Sequence, residues 1–210
     1  MSTKKNSEKK EQQRRKQQAV DAAHTKCFKR DGVDLTVTSY SVSQLPKEDL
    51  EWALELLKSN MEALYVTAGW GWDGKKKRRQ LCHESSLFLI ARDALKPVGY
   101  INFRFELEAN VEVVYCYEIQ LESSVRRKGI GKFLLQILEL IGHKTGMRKV
   151  MATVFKENTP SLDFFRTKMG YIEDNTSPNV CDPENADTCT YVILSKLLIK
   201  PRGINCPPEN

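Results

Sequence analysis

Residues Tyr115 to Leu135 read Y-C-Y-E-I-Q-L-E-S-S-V-R-R-K-G-I-G-K-F-L-L. The first half is apolar and β-prone, bounded by Glu112 and Glu122, and predicts a strand. From Gly129 onward, Phe133, Leu134, Ile137, Leu138 and Ile141 recur at the spacing of an amphipathic helix. Between them lies Arg126-Arg127-Lys128-Gly129-Ile130-Gly131. A strand, a Gly-rich turn and a helix start together make an anion site. The first helical amides have no intrahelical partner, and the helix dipole adds partial positive charge there. Two glycines let a phosphate approach the backbone closely. Taken alone, a G-x-G before a helix also fits a purely structural turn. The phosphate-loop spacing G-x-x-x-x-G-K-[ST] is absent, and only two of the three dinucleotide-fingerprint glycines are present.

The rest of the chain supplies an alternation of elements around this unit. Leu35 to Val42 alternates and is rich in β-branched residues, which predicts a strand. Pro46 suits a first helical turn, and Leu50, Ala53, Leu54, Leu57, Met61 and Leu64 predict a helix ending near Tyr65. A second helix is expected over Lys75 to Glu84, with K-K-K-R-R as its solvated face. Strands are expected at Leu87–Arg92, at Val98–Glu108 after a Lys96-Pro97 turn, and at Val111–Glu122 after an Ala109-Asn110 turn. The last two read as a hairpin. The Gly129 helix should end near Gly146, followed by a buried strand at Lys149–Phe155. A short helix over Ser161–Lys168, closed by Gly170, a polar loop over Asn175–Thr188 and a last strand at Thr190–Leu197 complete the order. Such an order gives an α/β fold with a mixed sheet flanked by helices.

The net charge of +6 is unevenly placed. Residues 1–30 hold ten Lys/Arg against three Asp/Glu, whereas residues 31–210 hold 23 against 24. The basic character therefore belongs to a segment of few apolar residues, read as a partly helical or disordered tail over 1–30. Attachment to nucleosome or ribosome, or nuclear import, competes there with a merely solvated tail. The folded part, 31–198, carries no overall positive field for nucleic acid, and 199–210 reads as a loose, Pro-rich end. No run of about 18 apolar residues occurs, so no membrane partner is expected. The six cysteines form no C-x-x-C pair and no zinc spacing with the three histidines, so no metal is expected and the thiols should be reduced.

R-x-x-G-x-G at Arg126–Gly131 resembles the acyl-coenzyme A pyrophosphate loop of the GCN5-related N-acetyltransferases. The similarity runs from about Leu50 to Leu197 and includes G-W-G-W at Gly69–Trp72 and V-F-K-E-N at Val154–Asn158. Within the family, Y-C-Y-E-I-Q-L-E and R-R-K-G-I-G-K-F-L are most similar to the branch that acetylates histone N-termini. The resemblance implies a sheet that splays at the cofactor strand, with acetyl-CoA as co-substrate. It assigns the pyrophosphate to Arg127, Lys128, Gly129, Ile130, Gly131 and Lys132, and the pantetheine arm to the backbone of Ile119, Gln120 and Leu121. Asn158 matches the family's side-chain contact to the cofactor; a helix N-cap is its competing role, and both can coexist.

The resemblance makes Glu118 the candidate general base, against an ordinary strand glutamate. A terminal α-amine, with a pKa of about 7.7–8.0, needs a weaker base than a lysine at about 10.4. A backbone amide near Ile119 is expected to hold the developing oxyanion. Many relatives place a proton-donating Tyr where this chain has Phe165, so Tyr117 or water must take that part. Five glutamates (106, 108, 112, 118 and 122) and no Lys or Arg between Glu106 and Val125 invite a basic peptide, or else form a solvated hairpin face. Tyr65, Trp70, Tyr115, Tyr117 and Tyr191 could wall a groove or simply pack. By resemblance, Tyr65, Glu106, Glu108, Tyr117, Thr153, Thr176 and Tyr191 contact a peptide beginning Ser-Gly-Arg-Gly. The implied protein is a monomeric, nuclear and cytoplasmic histone-tail acetyltransferase. Lysine or small-amine acetylation and a catalytically weak acyl-CoA-binding module stand as alternatives.

Overall fold

The computed structural model describes residues 26–30 and 32–198, together with Arg14, Gln17, Val20 and Asp21. The expectations for residues 1–13 and 199–210 lie outside the described residues. The strands are β1 (Lys26–Arg30), β2 (Val33–Ser41), β3 (Leu87–Asp93), β4 (Lys96–Glu108), β5 (Val111–Leu121), β6 (Lys149–Phe155), β7 (Ile172–Glu173) and β8 (Tyr191–Leu197). They form one sheet in the order β1-β2-β3-β4-β5-β6-β8-β7. Every pairing is antiparallel except β5 with β6. A parallel pair needs a crossover, and the helix α3 (Ile130–Lys144) supplies it.

The sheet is buried from both sides. Leu134, Leu135, Leu138 and Ile141 of α3 pack with Leu89, Ile101, Phe103, Val114 and Val150 on one face. On the other, Ala53, Leu56 and Leu57 of α1 (Lys47–Thr67) and Leu81 of α2 (Gly74–Leu81) pack with Phe88, Ile90 and Tyr100. The period of two along the strands divides these clusters: Ile101 and Phe103 face α3, whereas Tyr100 faces α1.

Two departures from regular pairing shape the middle of the sheet. The β4–β5 register shifts between Asn102 and Phe103, so that Asn102 pairs with Glu118 but Phe103 pairs with Cys116. Tyr117 is therefore the extra residue of a bulge, a device that re-aims side chains. Cys116 belongs to the α3-side core. In a regular strand Glu118, two residues on, would share that face. The bulge sends it to the α1–α2 side instead. The second departure is a split: β5 pairs with β6 only from Val113–Lys149 to Cys116–Ala152. Beyond that, β6 stays with β8 out to Phe155–Tyr191, and β5 stays with β4 out to Leu121–Gly99. The strands splay, leaving one backbone edge of residues 117–121 facing the opening.

Several sequence expectations change in detail. The first hairpin turns at Ala94-Leu95, and Lys96 and Pro97 are already in β4. The second does turn at Ala109-Asn110, both with positive φ as a tight two-residue hairpin requires. Lys26–Arg30, read with the basic segment, is an edge strand on β2. Val20 is 1% exposed in the α3-side core, and its carbonyl accepts from Ser39 Oγ at 3.0 Å. The helix expected over Ser161–Lys168 begins earlier, as α4 (Thr159–Asp163), and continues as a π turn over Phe164–Lys168. The polar loop contains α5 (Pro178–Cys181) and a 3-10 turn at Ala186–Thr188.

Candidate active site

The split opens into a cleft of about 1150 Å³. One end is the turn before α3. Gly129 sits at φ 84° as the helix N-cap, and Arg127 also has positive φ, 63°. Gly129, Gly131, Arg127 and Lys132 line the cleft. Lys128 is exposed outside the lining, and the Ile130 side chain is 1% exposed in the core, leaving only its backbone at the helix start. A Cβ built on Gly131 would meet Leu121 Cδ1 and Phe164 Cζ at 3.5 Å, ordinary contact, so the fold does not demand glycine there. Arg126 also lines the cleft, donating to Asn60 Oδ1 at 2.5 Å and to the Leu121 carbonyl at 3.2 Å. Asn158 lines the cleft while its Oδ1 accepts from the Ser161 amide at 3.3 Å. Its N-cap role thus occupies the oxygen and leaves the amide nitrogen for a ligand. A helix start with unpaired amides, an open strand edge and a side-chain amide fit an elongated, phosphate-bearing molecule.

Glu118 occupies the middle of the cleft, its side chain 11% exposed. Its Oε2 accepts from Gln120 Nε2 at 3.1 Å, and its Oε1 lies 3.4 Å from Lys77 Nζ. Burial raises the Glu118 pKa above the ordinary carboxylate value, and Lys77 and Gln120 pull against that rise. The run K-K-K-R-R predicts a solvated face, and Lys77 departs from it. It is 9% exposed and also donates to the Tyr65 hydroxyl, while Lys75, Lys76, Arg78 and Arg79 are exposed. Helical phase could have revealed it: Lys77 lies four residues before buried Leu81, on the same stripe.

Aromatic rings rim the cleft. Tyr65 packs edge-on against Trp70, Trp72 and Phe155, with centroids 6.1, 5.6 and 4.9 Å away. Trp70 meets Tyr191 at 5.6 Å and remains 52% exposed. Tyr115 lies 5.0 Å from Tyr117, and the Arg104 guanidinium sits 4.3 Å from the Tyr117 ring centroid. Burial, then the Glu106 carboxylate, push the Tyr117 phenol up to about 12, so it is protonated at neutral pH. Its hydroxyl donates to Glu106 Oε1 at 3.2 Å. Glu108 and Thr153 line the cleft. Glu106 reaches it only through Tyr117. Thr176 lies outside the lining, its hydroxyl donating to Asp174 Oδ1 at 2.8 Å. Phe165 is buried at 3% against Phe164 and Tyr171 and has no dissociable proton.

Among the described residues no cluster of His, Cys, Asp and Glu could hold a metal ion, and no helix is long and apolar enough to cross a membrane. Cys181 and Cys189 are free thiols.

The model of the acetyltransferase (GNAT) family matches residues 51–171. The chain belongs to that family. Its match spans most of α1, the bulge, the split and the π turn. YwnH of Bacillus subtilis, a protein named for phosphinothricin acetylation, is 36% identical over 64 residues, which are 30% of this chain and 39% of that one. The aligned stretch thus spans well under half of that relative. A GNAT acetyltransferase of Desulfovibrio desulfuricans superposes with a TM-score of 0.58 at 13% identity, covering 79% of this chain and 99% of that one. Naa50 of Arabidopsis thaliana, in complex with the bisubstrate analogue CoA-Ac-MVNAL, superposes at 0.53 with 18% identity, covering 76% and 97%. At these identities the solved structures establish the fold of this GNAT acetyltransferase.

Proposed function

We propose that this acetyltransferase uses acetyl-CoA to acetylate the α-amino group of peptides beginning Ser-Gly-Arg-Gly, as histone N-terminal tails do. The observation that carries the reading is one continuous cleft. It joins the amides before α3, the buried Glu118 carboxylate and an aromatic rim holding Glu108. Acetyl-CoA would supply the acetyl thioester. The α3 amides, with Arg127 and Lys132, would bind its phosphates. The open β5 edge at 117–121 would align the pantetheine arm, and Asn158 would contact it through its free amide nitrogen. The solved Naa50 complex, which carries CoA joined to a peptide, makes such a two-ended cleft reasonable for this fold.

Glu118 is then the base. A carboxylate whose pKa is raised by burial accepts a proton from an α-ammonium of pKa about 8 far more readily than from a lysine. The amine nitrogen bonds to the thioester carbon, the carbon–sulfur bond breaks, and the departing sulfur takes a proton. That proton would come from water, or from Tyr117, which is protonated at neutral pH and at rest donates its hydroxyl to Glu106. The Glu106 and Glu108 carboxylates suit the arginine at the third position. The basic residues ahead of β1 would serve nuclear import or attachment to nucleosome or ribosome, with the catalytic domain acting as a monomer in nucleus and cytoplasm.

The test is acetylation of a Ser-Gly-Arg-Gly peptide, with the modified nitrogen located by mass spectrometry. Acetyl on the α-amine is expected. Acetyl on lysine alone would overturn the reading. Small-amine acetylation is the second reading, favoured by the aligned YwnH stretch. Faster turnover of phosphinothricin than of the peptide would establish it.

A further inference from the structure

Lys77 does not belong on a surface helix of the kind its neighbours make. Residues 74–81 read G-K-K-K-R-R-Q-L, and Lys77 is the cation among them turned inward to 9% exposure. A buried ammonium is costly unless it is paired and hydrogen-bonded. Here it is both. Nζ donates to the Tyr65 hydroxyl of α1, lies 3.4 Å from Glu118 Oε1 of β5, and stands 4.3 Å from the Tyr65 ring centroid. The carboxylate's other oxygen is held by Gln120, whose own carbonyl accepts from Asn60 Nδ2 at 3.0 Å. Both Glu118 oxygens are therefore held, one by an amide and one by a charge.

We propose that Lys77 is the positioning residue of this site: its ammonium grips the Glu118 carboxylate and the Tyr65 hydroxyl together, setting the direction of the carboxylate in the cleft and placing a buried positive charge against it. This rests on Glu118 being the base. Burial alone lowers a lysine's pKa, but Glu118 and Tyr65 outweigh it, and Lys77 stays charged. The other titratable groups that feel the Glu118 charge are Tyr65 of α1, Tyr100 of β4 and Cys116 of β5, each raised by burial first and by Glu118 second. These three are neutral at pH 7, so Lys77 supplies the counter-charge. Without it, only the Gln120 hydrogen bond opposes burial of Glu118, and the carboxylate is protonated at a higher pH.

Lys77→Met, Lys77→Gln and Lys77→Arg separate positioning from packing. In protein labelled with 13Cδ-glutamate, the Glu118 signal is identified by its loss in Glu118→Gln. Its titration should move to higher pH in Lys77→Met and Lys77→Gln and return toward wild type in Lys77→Arg. The acid limb of the kcat profile should move with it. Below the limb, the rate should fall about tenfold for each pH unit the limb moves; above it, only a smaller, pH-independent fall from the lost direction of the carboxylate should remain. An unmoved Glu118 titration, or a rate lost equally at every pH, would overturn the proposal. So would failure of all three variants to fold, because Lys77 would then serve the fold alone. The titration needs no substrate. If no α-amine is acetylated yet the titration shifts, the peptide reading fails and the positioning role stands.

Discussion

Tyr115 and Thr153 share a hydroxyl hydrogen bond of 2.6 Å across β5 and β6, at the point where their ladder ends. The last paired residues are Cys116 and Ala152, so this side-chain bond is the next tie across the widening split. It also fixes the ring that lies 5.0 Å from Tyr117. Thr153→Val keeps the shape and removes the partner. A neutral hydrogen bond is worth about 1 kcal/mol, or roughly fivefold in an equilibrium constant. KM for the peptide should rise by that order while CoA affinity holds. Steady-state kinetics with calorimetry would show the division.

Gly131 tests the phosphate end. Its built Cβ makes only ordinary contacts, at 3.5 Å, with Leu121 and Phe164, which themselves line the cleft. Gly131→Val should melt close to the wild type yet bind CoA at least about tenfold more weakly, since bulk replaces the ligand's close approach. Unchanged calorimetric affinity in the folded variant would remove the loop from the binding site.

Much of this was legible in the chain, and the misses share a physical cause. Periodicity identified α1, α3, β5 and β6 because each buries a full apolar face. The unit of strand, Gly129 turn and helix was visible because its chemistry is local. The bulge at Tyr117 was not. It depends on how β4 and β5 count residues against each other, and no single strand records that. The direction of Glu118 therefore could not be read, although the residue itself was. Lys77 was missed because its neighbours are also cations, and composition outweighed phase. Thr176, matched to a family position, bonds Asp174 outside the cleft lining.

Asp174 carries a pH-dependent share of stability. Burial raises its pKa, but hydrogen bonds from Lys149, Ser195 and Thr176 outweigh this and hold it down to about 2. The Lys149 Nζ–Asp174 Oδ2 pair is nearly dry. A depressed carboxylate contributes stability fully present above its unfolded value, about 3.9, and lost as pH falls through its folded value. The depression corresponds to about 2–3 kcal/mol. Asp174→Asn should therefore lose about that much in urea denaturation at pH 7, and the gap should narrow steadily from pH 4 toward pH 2. A gap of constant size across that range would mean that packing, not charge, is what Asp174 contributes.

Glu118 and the pair Glu106–Glu108 should fail in different ways. Glu118→Gln keeps the shape and the Gln120 contact but removes the base. The chemical step should slow with little change in peptide affinity. Raising the pH should recover part of the rate, because more of the α-amine is then already neutral. Wild-type turnover by this variant at low pH would rule Glu118 out as the base. Glu106 accepts from Tyr117 and Glu108 lines the cleft, and the proposed reading gives these two the arginine rather than the reacting nitrogen. Glu106→Gln with Glu108→Gln should raise KM for Ser-Gly-Arg-Gly. A charge-assisted contact to arginine is worth about 1.5–3 kcal/mol, or roughly ten- to a hundredfold. A Ser-Gly-Ala-Gly peptide has no arginine to lose, and its KM should hardly move in the double variant. The two peptides must therefore diverge in wild type and converge in the variant. If both lose equally, the glutamates shape the cleft without reading the third residue, and the preference for a basic tail must come from elsewhere on the chain.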